Sequence, residues 1–288
     1  MATRPRSLTP PPRASLDVAQ LSHPGMVRPH NEDTVFVDGA AGLAVLADGM
    51  GGYSAGEVAS GIAVNVICDG LLPELRSGRE LHKVDVASGL THAAQLLQQQ
   101  IAAANKGIYE AAQLRPECAG MGTTLVAAVF CGNRVSVAHV GDSRCYRMRG
   151  DRFEQLTHDH SLLQEQIDSG VLTPEQAKYS LNKNLVTRAL GIEAIVPADI
   201  VEYRVEANDI YLLCSDGLTD MVEPEAIQGI VDEKRLDLPL AAADLIEMAN
   251  QNGGRDNISV VLVRVPPEFL PASGWVQQWL ARKGAEAK

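Results

Sequence analysis

The chain has 288 residues, 45% of them apolar, which is enough to bury a full core in one large domain or two small ones and sets aside a largely disordered chain. A net charge of −11 argues against nucleic acid or an anionic membrane as partner. Five cysteines, odd in number and without CxxC spacing, read as reduced, buried thiols of a cytoplasmic protein rather than a disulfide framework.

No apolar run approaches the roughly 18 residues a membrane crossing needs. Residues 1–16 carry arginine and proline but no apolar core, so they read as a disordered tail and not a secretory leader. NEDTVFVD and GLAVLADG follow as two short strands parted by turn residues around Gly39. Ser54 and Glu57 have capping-box spacing, which predicts a helix through EVASGIAVNVICDGLL. A second helix is expected over residues 85–114, with Val86, Leu90, Leu97, Ile101 and Ile108 in one apolar stripe. From Gly122 the period changes to two: TTLVAAVF, RVSVAHVG, RCYRMR and RFEQLT are strands, and the links CGN and GD are tight hairpins.

A helical excursion over residues 161–184 interrupts the strands, with Thr173, Pro174 and Gln176 forming a second capping box. DIYLLCS is a strand, PEAIQGIV and PLAAADLIEMAN are helices, and ISVVLVRV is the last strand. The domain so read covers 17–265. Residues 266–288 form a tail whose Trp275, Trp279 and Leu280 would share one face of a short helix. This order suits an α+β fold with mostly antiparallel sheets.

Three apolar runs adjoin an acid. LAVLADGMGG ends at Asp48, DIYLLCSDGLTD reaches Asp216, and Asp256 in GGRDNISVVLVRV precedes the last strand; Asp142 in HVGDSR repeats the pattern after Gly141. One Asp-Gly pair is an ordinary turn, but several at strand ends suggest a shared destination. Carboxylate oxygens, with the Gly49 carbonyl, are hard ligands that prefer Mg²⁺ or Mn²⁺. Like charges so gathered need metal, and two ions bridging a water suit a phosphate ester as substrate. Arg28 in RPHNED could fork two phosphate oxygens, although taken alone it reads more readily as an exposed surface residue. Glu32 and Asp33 are placed to hold ion-bound waters. His139, His158, Asp159 and His160 lack the remaining ligands of a zinc site and read as structural.

RPHNED, ADGMGG, GTT, HVGDSR, LTHDHS, TRALG, LLCSDGLTD and GGRDNIS, in that order, resemble the metal-dependent protein phosphatases, the type 2C or PPM family, and within it the bacterial Ser/Thr branch. The resemblance runs from Asp17 to Val265. It implies a four-layer αββα sandwich, two central antiparallel sheets flanked by helix pairs, with metals at one edge. Asp48 would bridge two Mn²⁺ or Mg²⁺ ions, Gly49 would bind one through its carbonyl, and Asp216 and Asp256 would ligate the second. Asp142 with Asp216 would hold a third ion, Arg28 would bind the substrate phosphate, and Thr187 to Gly191 would close the flap. The implied reaction is hydrolysis of phosphoserine and phosphothreonine by direct attack of a metal-bridging hydroxide, opposing a Ser/Thr kinase, in a cytoplasmic monomer.

One departure stands out. Met50 occupies the position of the histidine that animal relatives use as general acid, and Tyr53 that of the histidine frequent in bacterial relatives. Neither titrates near neutral pH, so a phosphoprotein-binding pseudophosphatase is the alternative reading.

Overall fold

The computed structural model describes residues 14–52, 55–77, 79–177 and 185–270. Ser54, Tyr53, the end of the expected flap and the tryptophan-bearing tail lie outside the described residues. The strands are β1 (Asp17–His23), β2 (Asp33–Asp38), β3 (Leu43–Met50), β4 (Gly122–Thr123), β5 (Leu125–Cys131), β6 (Arg134–Val140), β7 (Arg144–Arg149), β8 (Arg152–Gln155), β9 (Asp199–Arg204), β10 (Ile210–Cys214) and β11 (Ile258–Arg264). The helices are α1 (Ala55–Arg76), α2 (His92–Leu114), α3 (Leu162–Asp168), α4 (Pro174–Ala177), α5 (Asp216–Thr219), α6 (Pro224–Glu233) and α7 (Leu238–Gln251).

One antiparallel sheet has the order β1-β11-β10-β7-β8 and the other β2-β3-β5-β6-β9, with β4 added to the end of β3. Strand alternation explains why Leu43–Ala47 of β3 and Val260–Val263 of β11 are apolar on both faces. Leu43, Val45 and Ala47 of β3 pack under α1 and α2, while Ala44 and Leu46 face the other sheet. Ile258, Val260 and Leu262 of β11 pack under α6 and α7, while Val261 and Val263 face back across the interior. Both faces are covered, so these central stretches are apolar on each side, and Ser259 near the start of β11 is buried only with its hydroxyl against Ser22 Oγ at 2.7 Å. The result is the four-layer αββα sandwich, and Phe130 and Tyr211 meet edge to face between the sheets, centroids 5.1 Å apart.

Several expectations are corrected. The second helix begins at His92, capped by Thr91, and Val86 is 98% exposed. Asp85 accepts from the amides of Ala87 and Ser88, and Gly89 takes φ +74°, which together hold a turn where periodicity alone extended the helix. The edge strands β1 and β9 escaped the reading because their side chains are mostly half-exposed and their patterns weak. Helix α1 does have the length and mean hydropathy of a membrane span, contrary to the sequence reading. Its apolarity has another cause here: Ala59, Ala63, Ile67 and Leu71 are fully buried in the core it shares with β3 and α2. The five cysteines are free and buried, and the Thr173–Gln176 box forms, each residue's side chain accepting from the other's amide.

Candidate active site

Antiparallel pairing sets Asp33 of β2 directly opposite Asp48 of β3. Like charges across a ladder repel, so the pairing needs a compensating reason. Asp48 lies within its strand and not at its end, because Gly49 and Met50 continue the ladder onto β4. Its backbone is fixed from that side: the carbonyl accepts from Thr123 Oγ1 at 2.8 Å and Thr124 N at 2.9 Å. Gly49 was expected for its freedom to turn a carbonyl. The structure gives a different reason, since a Cβ there would lie 2.2 Å from the Gly56 carbonyl oxygen and 2.5 Å from that of Glu32. Only glycine lets the first turn of α1 approach this closely.

The other sheet supplies the facing carboxylates. β10 ends at Cys214, and Ser215 and Asp216 turn the chain into α5. Ser215 Oγ donates to Asp33 Oδ2 at 3.0 Å and accepts from Ser259 N at 3.0 Å, tying β2 of one sheet to β11 of the other. Asp256 precedes β11, and Arg28 Nη2 meets its Oδ2 at 2.6 Å. Asp142 sits in the turn between β6 and β7, 8% exposed.

Asn257, beside Asp256, builds one wall of the site. Its Nδ2 donates to the carbonyls of Pro24 and His30, at 3.0 and 2.9 Å, and its Oδ1 accepts from Glu32 N at 2.8 Å. One buried amide thereby holds the loop that carries Arg28. Its partners come from the opposite end of the chain, so no local pattern announces it.

The carboxylates feel one another. Burial pushes Asp48 and Asp216 well above the ordinary carboxylate range; neighbouring aspartates, Asp142 among them, add to both shifts. Burial likewise raises Asp33 and Asp142 to about 6 and lifts Glu32. Asp33 Oδ1 and Asp216 Oδ1 are buried with no hydrogen-bond partner. A carboxylate oxygen in that position is costly unless something positive completes it. The donors are hard oxygens, and among the described residues no histidine or cysteine enters the cluster, so the site fits Mg²⁺ or Mn²⁺.

The histidines do not form a second such site. His139, His160 and Asp199 converge, but Arg188 Nη1 lies 3.2 Å from His160 Nε2 and 3.3 Å from Asp199 Oδ1, so a cation already stands there. Asp159 holds Arg144 through both carboxylate oxygens, and His158 pairs with Asp168 at the surface. A cleft of about 240 Å³ leads from Asp142 and Asp216 to the flap helix α3.

Carboxylates drawn from both sheets at one edge of an αββα sandwich define a metal-dependent phosphatase domain. The family model for protein phosphatase 2C matches residues 29–259. The serine/threonine protein phosphatase PstP of Mycobacterium tuberculosis is 38% identical over 253 residues, covering 87% of this chain and 45% of that protein. This chain thus spans about half the length of that relative. The serine/threonine phosphatase stp of Listeria innocua is 40% identical over 242 residues, covering 83% of this chain and 92% of that protein. The crystal structure of the catalytic domain of PstP in complex with two manganese ions superposes with a TM-score of 0.75 at 36% identity, covering 88% of this chain and 99% of that one. The chain belongs to the protein phosphatase 2C family.

Proposed function

We propose that this chain hydrolyses phosphoserine and phosphothreonine in proteins, with the domain at residues 17–265 and the flap at 161–184. The observation that carries the reading is the meeting of Asp33, Asp48, Asp216 and Asp256 from two sheets, two of them with buried, unpartnered oxygens. Asp48, Gly49, Asp216 and Asp256 would hold two Mn²⁺ or Mg²⁺ ions, and Asp142 with Asp216 a third. When bound, such ions supply charge neutralisation and a water acidic enough to be a nucleophile near neutral pH.

The chain's own residues do the rest. Arg28, 53% exposed along its side chain, can turn its fork from Asp256 toward a phosphate while the loop stays anchored by Asn257. Glu32 and Asp33 line the cluster and would order water around the ions. Met50 ends β3 without a titratable group, so protonation of the leaving oxygen falls to water or to a side chain outside the cluster. Every proposed ligand position carries an oxygen donor, which supports an active enzyme over the pseudophosphatase alternative.

A Ser/Thr kinase acting on the same proteins is the implied counterpart, and we propose a cytoplasmic monomer, in keeping with five reduced, buried thiols. The deciding experiment is hydrolysis of a phosphothreonine peptide in Mn²⁺ with and without chelator. Turnover abolished by chelator and restored by Mn²⁺ is expected; phosphopeptide binding without turnover under both conditions would restore the pseudophosphatase.

A further inference from the structure

His160 is buried, yet it belongs neither to the carboxylate cluster nor to the apolar cores. Its polar groups make four hydrogen-bond contacts with three residues, Gly141, Thr187 and Asp199, and Arg188 Nη1 also stands 3.2 Å from Nε2. The main-chain amide donates to the Gly141 carbonyl at 2.9 Å, and Nδ1 accepts from the Gly141 amide at 3.1 Å. The main-chain carbonyl accepts from Thr187 N at 2.8 Å, and Nε2 lies 3.3 Å from Asp199 Oδ2. Because Nδ1 accepts from an amide, the proton of the neutral ring sits on Nε2, facing the carboxylate. The ring also stacks on His139, centroids 4.6 Å apart.

Each partner has a distinct place. Gly141 immediately precedes Asp142 and takes φ +100°, open to glycine, and both of its main-chain polar groups are held by His160. Ser161, next to His160, caps α3 by accepting from Gln164 N at 3.2 Å. Leu162 N donates to the Leu185 carbonyl at 2.9 Å, which pairs the entry and exit of the flap beside His160. Asp199 lies on β9 and is shared with Arg188 of the exit. Flap and turn also face one space: Leu163, Gln164 and Ile167 line one wall of the cleft, and Asp142, Asp216 and Asp220 the other.

We propose that His160 is a positioning residue that clamps both roots of the flap to the Gly141–Asp142 turn, so that order in the flap and cation binding at Asp142 strengthen each other. Such coupling is reciprocal: whatever the ion contributes to order at the roots of the flap, substrate held against α3 returns to ion affinity. The substrate half rests on the phosphatase reading, whereas the ion half is measurable without turnover.

The test uses the full chain, with Mn²⁺ titrated calorimetrically and amide exchange followed in residues 162–168 and 185–188. In the wild type, exchange there should slow across the weakest Mn²⁺ step. His160→Ala should weaken that step about tenfold, leave the tighter steps within twofold, and remove the Mn²⁺-dependent protection. His160→Asn keeps an acceptor where Nδ1 lies but loses the Asp199 link. It should recover most of the ion affinity and leave the flap exit fast-exchanging, and it serves in its own right should the alanine variant fail to fold. On a phosphothreonine peptide, His160→Ala should raise KM more than it lowers kcat. Mn²⁺-dependent protection that persists in His160→Ala, or in His160→Asn when only that variant folds, overturns the proposal. So does a wild type with no weak Mn²⁺ step. A wild type that binds Mn²⁺ but never turns over contradicts the phosphatase reading instead, leaving the ion half standing.

Discussion

Arg28 Nη2 lies 2.6 Å from Asp256 Oδ2, which makes the arginine proposed to hold phosphate and a carboxylate proposed to hold a cation each other's partner. Arg28 is half-exposed and Asp256 partly so, and ion pairs in contact with solvent contribute about 0–1 kcal/mol. Arg28→Ala should therefore tighten Mn²⁺ binding by a few-fold at most. Its main effect should be on substrate: a lost charge-assisted pair is worth about 1.5–3 kcal/mol, roughly a 10- to 100-fold rise in KM for a phosphothreonine peptide, with a smaller fall in kcat. Arg28→Lys should recover only part, since a point charge lacks the fork. Unchanged KM in the alanine variant would place the phosphate elsewhere.

Asp48→Asn and Asp216→Asn should each abolish Mn²⁺-dependent turnover. In chelator the same variants should melt higher than the wild type, because each removes a desolvated charge from a mutually repelling set. Scanning fluorimetry in EDTA and a peptide assay in Mn²⁺ check both halves; a lower melting temperature in both variants would contradict the repulsion.

The pH dependence has an unusual sign. Asp142 rises from 3.8 to about 6, chiefly through burial. A raised carboxyl costs nothing below its unfolded pKa, and its penalty grows between pH 4 and 6 before levelling off. At full size that penalty is roughly 3 kcal/mol. In chelator, Asp142→Asn should therefore gain on the wild type by several degrees as pH climbs through this window. Saturating Mn²⁺ should shrink the difference, and Mn²⁺ affinity itself should fall below pH 6 as protons compete. A gap that is flat with pH in chelator would remove Asp142 from the cluster.

Asn257→Ala should cost about 1–3 kcal/mol, because the buried groups it satisfies lose their partner. Arg28 lies between the anchored carbonyls of Pro24 and His30, so KM should rise with the loss of stability. Denaturant melts and peptide kinetics on one preparation measure the two effects together; a destabilised variant with wild-type KM would show that the loop orders without Asn257.

Gly49→Ala drives a methyl group into the backbone of Gly56 and Glu32. Overpacking of this kind typically costs about 1–3 kcal/mol. Here it should also reduce Mn²⁺ affinity, since α1, Glu32 and Asp48 shift together. Calorimetry showing native affinity would mean that the helix yields without disturbing the carboxylates.

Local signals in the sequence were enough for Asp48, Asp142, Asp216 and Asp256, because each adjoins an apolar strand through a turn-forming neighbour. The hairpin meander and the core of α2 were legible from period alone. Asn257, Ser215 and the pairing of Asp33 with Asp48 were not, because they are defined by groups far away along the chain. β1 shows no clear alternation because its side chains are half-exposed at the sheet edge, and its pairing with β11 joins the two ends of the chain. The four layers came from family resemblance: the apolar stretches Leu43–Ala47 and Val260–Val263 say that both faces are covered, but not by what.

Asp33 and Asp48 belong to one sheet, and Asp216 and Asp256 flank strands of the other. The two halves of the sandwich thus present like charge to each other along a single margin, with Ser215 as a neutral stitch between them. Stripped of cations, that margin is a seam under electrostatic pressure, the place where the sheets should begin to part when the chain is heated or pulled. A bound ion becomes a rivet, and the molecule's mechanical strength and its chemistry come to depend on the same few atoms.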